Sequence, residues 1–280
     1  MPTKNYRPQA PDTSIETDRF FFSLLQQRSP LERWQMANAM ILDARRMSLC
    51  GLKRNFSQLT ESQFAIKVAT AWLQADYPPD YLPAGNEMTW IQDSSTLAVE
   101  LDRILSEIDI PYYITGGLAA IIYGEPRTTR DVDLVIQIQP AEIDRLVISL
   151  ENNGFYVPGV ADVKSGRMQI LSVTQIATIS RADLIISNST EFDRIKFERR
   201  EIIDLPDRGR IYFASVEDVI LSKLLWGQSS QSEKQWRDVL GILKVQAEKL
   251  DVDYLNKWSE YLNLSNLLNL AMTESGISRS

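Results

Sequence analysis

Asp131 and Asp133, in the run Thr129-Arg130-Asp131-Val132-Asp133-Leu134-Val135-Ile136, are the residues whose spacing points most directly to chemistry. Two carboxylates at i and i+2 of a strand project to one face. The apolar run from Leu134 reads as a buried strand. Two like charges at its mouth are costly unless a cation neutralises them. A hard divalent ion with oxygen ligands would do so, and Mg²⁺ commonly also holds substrate phosphates. Upstream, Tyr113-Ile114-Thr115-Gly116-Gly117-Leu118-Ala119-Ala120 reads as strand, glycine turn and helix start. Such a turn presents free N–H groups to an anion. Each feature alone has a plainer reading, Gly-Gly as a tight turn and Asp-x-Asp as two solvated carboxylates. In this order, separated by one helix, they point together to nucleotide phosphates and metal.

The elements that must position these residues alternate. Strand 111–115, helix 117–124, strand 132–138 and helix 140–152 follow one another, with weaker strands near 167–174 and 177–186. Strands near 200–205 and 210–214 form a hairpin around Asp207-Arg208-Gly209. From Ser215 onward the chain reads as helical, with caps at Ser215, Ser232 and Asp251. Before the glycine turn, amphipathic helices are expected over 14–28, 31–50 and 60–75, the last opened by a Thr60-x-x-Gln63 capping box. A further helix runs from Ser94-Ser95-Thr96 to about Glu107. Tyr77-Pro78-Pro79-Asp80-Tyr81-Leu82-Pro83-Ala84-Gly85-Asn86 breaks regular structure, and 77–94 reads as a linker. The expected organisation is a helical N-terminal region over 1–85, a core over 86–214 and a C-terminal helical region over 215–280. The fold class is α+β: a small mixed sheet with flanking helices, a C-terminal helical region and an N-terminal helical extension.

Composition narrows the chemistry by exclusion. The chain of 280 residues is 44% hydrophobic and 24% charged, ordinary for a globular protein with a sizeable core. It contains no histidine, which removes His-based zinc sites and every His-dependent triad. A metal–carboxylate mechanism survives that restriction. The single cysteine, Cys50, excludes an internal disulfide framework, fits a reducing cytosol and reads as a small buried residue of a helix. No apolar run approaches a membrane span and the N-terminus is polar, so a cytoplasmic protein with no membrane partner is expected. A net charge of −7 argues against a broad basic surface. Arg194, Lys196, Arg199, Arg200, Arg208 and Arg210 are matched by an equal number of acids within 191–210, so a salt-bridged surface is expected there.

Gly116-Gly117, Ala119-Ala120, Tyr123-Gly124, Arg127, Thr129 and Asp131-Val132-Asp133-Leu134 together resemble the signature of the DNA polymerase β-type nucleotidyltransferase superfamily. The Gly-Gly form, with Arg-x-Thr before the aspartates, is most similar to the AbiEii/MenA-type enzymes of bacterial toxin–antitoxin systems. It also resembles some aminoglycoside nucleotidyltransferases. Downstream, Ser215-Val216-Glu217-Asp218-Val219-Ile220-Leu221-Ser222-Lys223-Leu224 and Glu233-Lys234-Gln235-Trp236-Arg237-Asp238-Val239 are similar to a helical segment of the same group. The resemblance covers roughly residues 96–245 and implies a nucleotidyltransferase sheet.

It also implies roles. Asp131 and Asp133 would bridge two Mg²⁺ ions, with Mn²⁺ as an alternative, and the enzyme would mainly position reactants and neutralise charge. A third carboxylate from a neighbouring strand completes such a site. Asp183, an acid in the otherwise apolar Ala182-Asp183-Leu184-Ile185-Ile186, is the candidate for metal ligation and for deprotonating the acceptor hydroxyl; a solvated carboxylate on an edge strand is the other reading. Gly116 and Gly117 would face the nucleotide. Lys223 matches the position of a cation for the β,γ-phosphates, or it snorkels to solvent. Asp238 pairs with Lys223 or faces the site. Arg127 and Arg130 contact phosphate or neutralise the aspartates. Trp226 and Trp236 stack a base or, as helical aromatics usually do, join the core.

The resulting expectation is an Mg²⁺-dependent nucleotidyltransferase that moves an NMP from an NTP to RNA, such as a tRNA end, or to a protein. Its expected partners are the NTP, that acceptor and a cognate antitoxin. One alternative is the same chemistry on a small, aminoglycoside-like molecule. A second is a non-catalytic nucleotide-binding protein that kept the fold.

Overall fold

The computed structural model describes residues 5–188, 190–206, 209–230 and 232–277. Three helices come first: α1 (Ile15–Gln26), α2 (Pro30–Asn55) and α3 (Glu61–Leu73). Each opens on a hydroxyl N-cap. Ser14 accepts from the Thr17 N–H, and Ser29 and Thr60 form capping boxes with Glu32 and Gln63. A 3-10 turn (Gln74–Asp76), the short α4 (Glu87–Trp90) and α5 (Ser94–Glu107) follow.

The central part reads β1 (Tyr112–Ile114), α6 (Gly116–Tyr123), β2 (Asp131–Ile136), α7 (Ile143–Asn152), β3 (Phe155–Tyr156), α8 (Val160–Lys164), β4 (Ile170–Gln175), β5 (Ser180–Ile186), α9 (Glu191–Glu198), β6 (Glu201–Leu205) and β7 (Gly209–Phe213). Helices α10 (Val216–Ser230), α11 (Glu233–Gln246), α12 (Val252–Tyr261) and α13 (Ser265–Glu274) complete the described chain. The strands form one mixed sheet in the order β3-β4-β5-β2-β1-β7-β6, parallel only at β2–β5 and β1–β7. This is the expected α+β architecture.

Several boundaries differ from the sequence reading. Strand 177–186 starts only at Ser180, because the Ile179 N–H closes a turn onto the Gln175 carbonyl (3.0 Å) with Ile179 at φ 52°. The two-residue β3 and helices α8 and α9 are additional. Helix α9 begins at a box between Thr190 and Asp193. The expected β6–β7 hairpin forms, with Ile203 opposite Ile211, while Asp207 and Arg208 of its turn lie outside the described residues. Ser232 and Asp251 cap their helices as expected, and Ser215 accepts from the Asp218 N–H. Cys50 is exposed on α2, not buried.

One core runs through the sheet and both flanking helical regions. Trp34 and Ala37 of α2 join Leu101 and Ile104 of α5, Ile121 of α6 and Phe213 of β7. The Trp34 and Phe213 rings meet edge to face at 5.5 Å. The Arg33 Nε donates to the Ile122 carbonyl at 2.7 Å, and Lys244 of α11 forms a buried 2.7 Å ion pair with Asp18 of α1. The proline-rich stretch is not a free tether, since Tyr81 and Trp90 are buried among α2, α3 and Ile179. Among the described residues no helix is long and apolar enough to cross a membrane.

Candidate active site

β2 carries Asp131 and Asp133 on one face, and the parallel register sets Asp131 opposite Arg181 and Asp133 opposite Asp183 on β5. The same register logic places Ser172 of β4 beside Asp183. The structure therefore brings Asp131, Asp133 and Asp183 together, with one oxygen of each within 4.8 Å of the others. All three are partly buried. Burial, followed by the charge of Asp131, pushes the Asp133 carboxyl up to about 6. Three converging carboxylates fit a hard divalent cation, which the oxygen-only donor set also favours.

The glycine turn is built against this cluster. Gly116 sits at φ +60°, and a Cβ there would lie 1.9 Å from an Asp133 carboxylate oxygen. No side chain is tolerated at that position, for both conformational and steric reasons. A Cβ on Gly117 would lie 2.9 Å from the Thr129 Oγ1. The Gly117 N–H donates to Asp133 Oδ2 at 3.2 Å, so one of the N–H groups expected to face a phosphate already holds a carboxylate.

Across the cleft stands a trio of Arg127, Lys223 and Asp238. Arg127 grips Asp238 with two hydrogen bonds of 2.8 Å, and Lys223 donates to the same carboxylate at 2.7 Å and to Gln235 at 2.9 Å. Of the two expected alternatives for Asp238, the structure has the pairing with Lys223. Burial lowers the Lys223 pKa, opposed by Asp238; burial alone would raise that of Asp238, but Arg127 and Lys223 hold it below the usual carboxylate range. The trio thus sets two basic side chains on one carboxylate. The cleft between this trio and the aspartates has a volume of about 290 Å³ and is also lined by Gly116, Gly117 and Trp226. Trp226 is 54% exposed on α10, which departs from the core reading. Trp236 lies against the core, its Nε1 donating to Glu274 at 2.8 Å.

Arg130 does not line this cleft. Its guanidinium turns to Gln74, 2.8 Å away, on the far side of Asp131. The residue at the aspartate cluster that the sequence reading missed is Arg181. It donates to Asp183 (2.9 and 3.1 Å), lies 3.8 Å from Asp131, and is held from behind by Asp76 at 2.8 Å. Ser172 was missed too; its hydroxyl donates to Asp183 at 2.6 Å. The basic stretch 191–210 is salt-bridged as expected, with Arg194 on Glu198, Lys196 on Asp193, Arg199 on Glu217 and Arg210 on Asp204; Arg208 lies outside the described residues.

No family model matches the chain, and no curated protein does. Part of it is similar to the crystal structure of an antigenic nucleotidyltransferase-like protein from Paracoccidioides brasiliensis, with 21% identity and a TM-score of 0.41 over 62% of this chain and 91% of that one. It is similar to ANT(2")-Ia in complex with adenylyl-2"-tobramycin at 16% identity and a TM-score of 0.41, over 59% of this chain and 97% of that one. For the CCA-adding enzyme with ATP the identity is 14% and the TM-score 0.30, over 65% of this chain and 51% of that one.

Proposed function

We propose that this protein is a divalent-metal-dependent nucleotidyltransferase that moves an NMP from an NTP to an acceptor hydroxyl. The observation that carries the reading is the convergence of Asp131, Asp133 and Asp183 within 4.8 Å, across one cleft from Lys223 and Arg127. An acid triad facing a cation pair suits a polyphosphate bound through metal at one end and through side chains at the other. The three aspartates would hold the ion, Mg²⁺ in our reading, with two ions as the full complement and Mn²⁺ as a substitute. Bound there, it would withdraw charge from the phosphate oxygens.

The chain's own residues do the remainder. Lys223 and Arg127, fixed by Asp238, bind the outer phosphates. The glycine turn lets the nucleotide approach the backbone of α6. The acceptor oxygen forms a bond to the α-phosphorus, the bond from that phosphorus to the bridging oxygen breaks, and pyrophosphate leaves with its electron pair. Asp183, aligned by Ser172 and Arg181, takes the hydroxyl proton and passes it to solvent. We assign the chain to the AbiEii/MenA-like branch on the motif from Arg127 to Leu134, with RNA or protein in a toxin–antitoxin or defence setting as the acceptor.

The test incubates full-length protein with each α-labelled NTP, Mg²⁺ or Mn²⁺, and total cellular RNA or protein. Label should move to one pool, and an Asp131→Asn, Asp133→Asn double variant should move none. A parent protein that neither binds Mg–NTP nor transfers label would overturn the reading.

A further inference from the structure

A second cavity, of about 250 Å³, meets the cleft at Thr129 and Asp131, which line both. Its other wall is not made by the sheet. It is made by α2, α3 and the turn Gln74–Asp76, all from the N-terminal region whose role the sequence left open. We propose that this cavity seats the acceptor, and that the acceptor is a ribose hydroxyl flanked by a phosphate. The proposal deepens the nucleotidyltransferase reading and rests on it.

Position is the first argument. Asp131 belongs to the acid triad and lines both spaces, so a hydroxyl entering from this cavity meets the triad at Asp131, whereas Lys223 and Arg127 line the cleft and not this cavity. A bound polyphosphate and an acceptor then approach from two directions, as an in-line displacement requires.

Charge is the second. The cavity carries the guanidiniums of Arg45, Arg130 and Arg181 against the carboxylates of Asp76 and Asp131. Asp131 is committed to the triad, and Asp76 is already paired with Arg181 at 2.8 Å. A cationic acceptor would meet guanidinium groups and no spare acid. An anion would find Arg130, which is exposed and, among the described residues, held by the neutral Gln74. Arg45 is fixed beside it, donating to the Trp90 carbonyl at 2.7 Å and to Ser180 at 3.2 Å, with its guanidinium 4.8 Å from the centre of the Trp72 ring. Planar guanidiniums are suited to phosphate.

Backbone geometry is the third. Gln74, which holds Arg130, sits at φ 53° and ψ −120°, outside the comfortable regions for a side-chain-bearing residue. Such strain persists only where surrounding structure enforces it, and it concentrates at binding sites. Here it places Gln74 on Arg130 and Asp76 on Arg181, so the N-terminal region sets both guanidiniums. The cavity takes about one sugar-phosphate unit and not a folded surface.

The test uses the full-length protein and four probes: a fluorescein-labelled RNA hexamer with a free 3′-hydroxyl, ribose 5-phosphate, ribose, and the polycation kanamycin. Mg–NTP binding is measured separately by calorimetry. RNA or ribose 5-phosphate should bind, and binding should fall with salt. The RNA arm decides between a chain end and a free sugar phosphate as the source. Arg130→Glu, at an exposed position, and Ala71→Trp, which fills the cavity, should each weaken that binding by about tenfold or more. Both should leave Mg–NTP affinity within about threefold of the parent. The proposal is overturned if neither phosphate probe binds, if ribose or kanamycin binds as well as the phosphate probes, or if a folded Arg130→Glu protein binds them like the parent. Loss of Mg–NTP affinity in Arg130→Glu would also overturn it, by placing Arg130 on the nucleotide. Failure of the parent to bind Mg–NTP, with phosphate binding intact and sensitive to both variants, would instead sink the nucleotidyltransferase reading alone.

Discussion

Asp133 and Asp183 are register partners across the parallel β2–β5 pair, so two acids from strands far apart in sequence face the same small volume. Burial and the neighbouring carboxylates raise the Asp133 pKa, which measures how poorly its charge is tolerated without a cation. Asp133→Asn keeps the shape and removes one like charge. The metal-free variant should be at least as stable as the parent, by about 1 kcal/mol in urea unfolding. It should lose transfer, and it should also lose the upward shift in Tm that we expect Mg²⁺ to give the parent. A variant that still melts later with Mg²⁺ would remove Asp133 from the ligand set.

The Arg127–Asp238–Lys223 trio makes two substitutions behave differently. Asp238→Asn leaves Lys223, 5% exposed, beside Arg127 with no carboxylate between them. We expect a loss of about 3–5 kcal/mol. Lys223→Met leaves Asp238 with its two-pronged bond to Arg127 and fills similar space, so it should cost less than half as much. Its KM for NTP should nevertheless rise by about tenfold. Equal destabilisation of the two variants in urea, or an unchanged KM for Lys223→Met, would contradict this account.

Much of this site could be read from local pattern, and what could not depends on distant register. The i, i+2 rule selects Asp131 and Asp133, and the close approach of Gly116 to Asp133 explains why glycine stands there. The same rule applied to β5 pairs Arg181 with Asp183, yet an arginine at a strand mouth reads as solvated until Asp76 and Asp131 are seen around it. Ser172 reaches Asp183 only through the β4–β5 register. Gln74 and Asp76 act on the site from a turn more than fifty residues upstream of Asp131, a relationship no local period encodes. Helix α9 escaped because its N-cap partner is Asp193 and not the Glu or Gln of the usual box, in a stretch with balanced charges. Trp226 shows the converse: α10 is apolar on most sides, so periodicity alone could not place this residue at its exposed edge.

Asp218 gives a pH prediction away from the site. It is fully buried, accepting from the Tyr254 hydroxyl at 2.6 Å and from Ser215 at 2.8 Å. Burial raises its pKa above the ordinary 3.8, against the lowering effect of those bonds and of Arg199 and Lys196. The folded state therefore holds this proton more tightly than the unfolded chain. Its ionisation costs stability above the folded pKa, and that cost vanishes below the ordinary value. Asp218→Asn retains an acceptor for Tyr254 and removes the charge. It should gain about 1 kcal/mol near neutral pH and nothing near pH 3. Urea unfolding at both pH values decides; a variant less stable than the parent at neutral pH would refute the assignment.

The N-terminal helices should prove inseparable from the sheet. A chain beginning near Asn86 keeps every candidate metal and phosphate ligand, and by that measure alone it should bind Mg–NTP. It loses Trp34, 1% exposed and set against Phe213, and it strands Lys244, 2% exposed at its side chain, without Asp18. Removing a buried Trp costs about 3–5 kcal/mol, and an orphaned buried charge costs a similar amount. Their sum is comparable to the roughly 5–15 kcal/mol that holds a whole domain folded. We expect residues 86–280 to be insoluble, or soluble without a cooperative thermal transition. The single variant Asp18→Ala in the full chain isolates the charge contribution and should lower Tm by several degrees. A soluble 86–280 fragment that melts cooperatively near the parent Tm would show that α1 to α3 are an accessory layer. In that case the fragment should still bind Mg–NTP yet lose the phosphate probes, because Gln74 and Asp76 would be gone from behind Arg130 and Arg181.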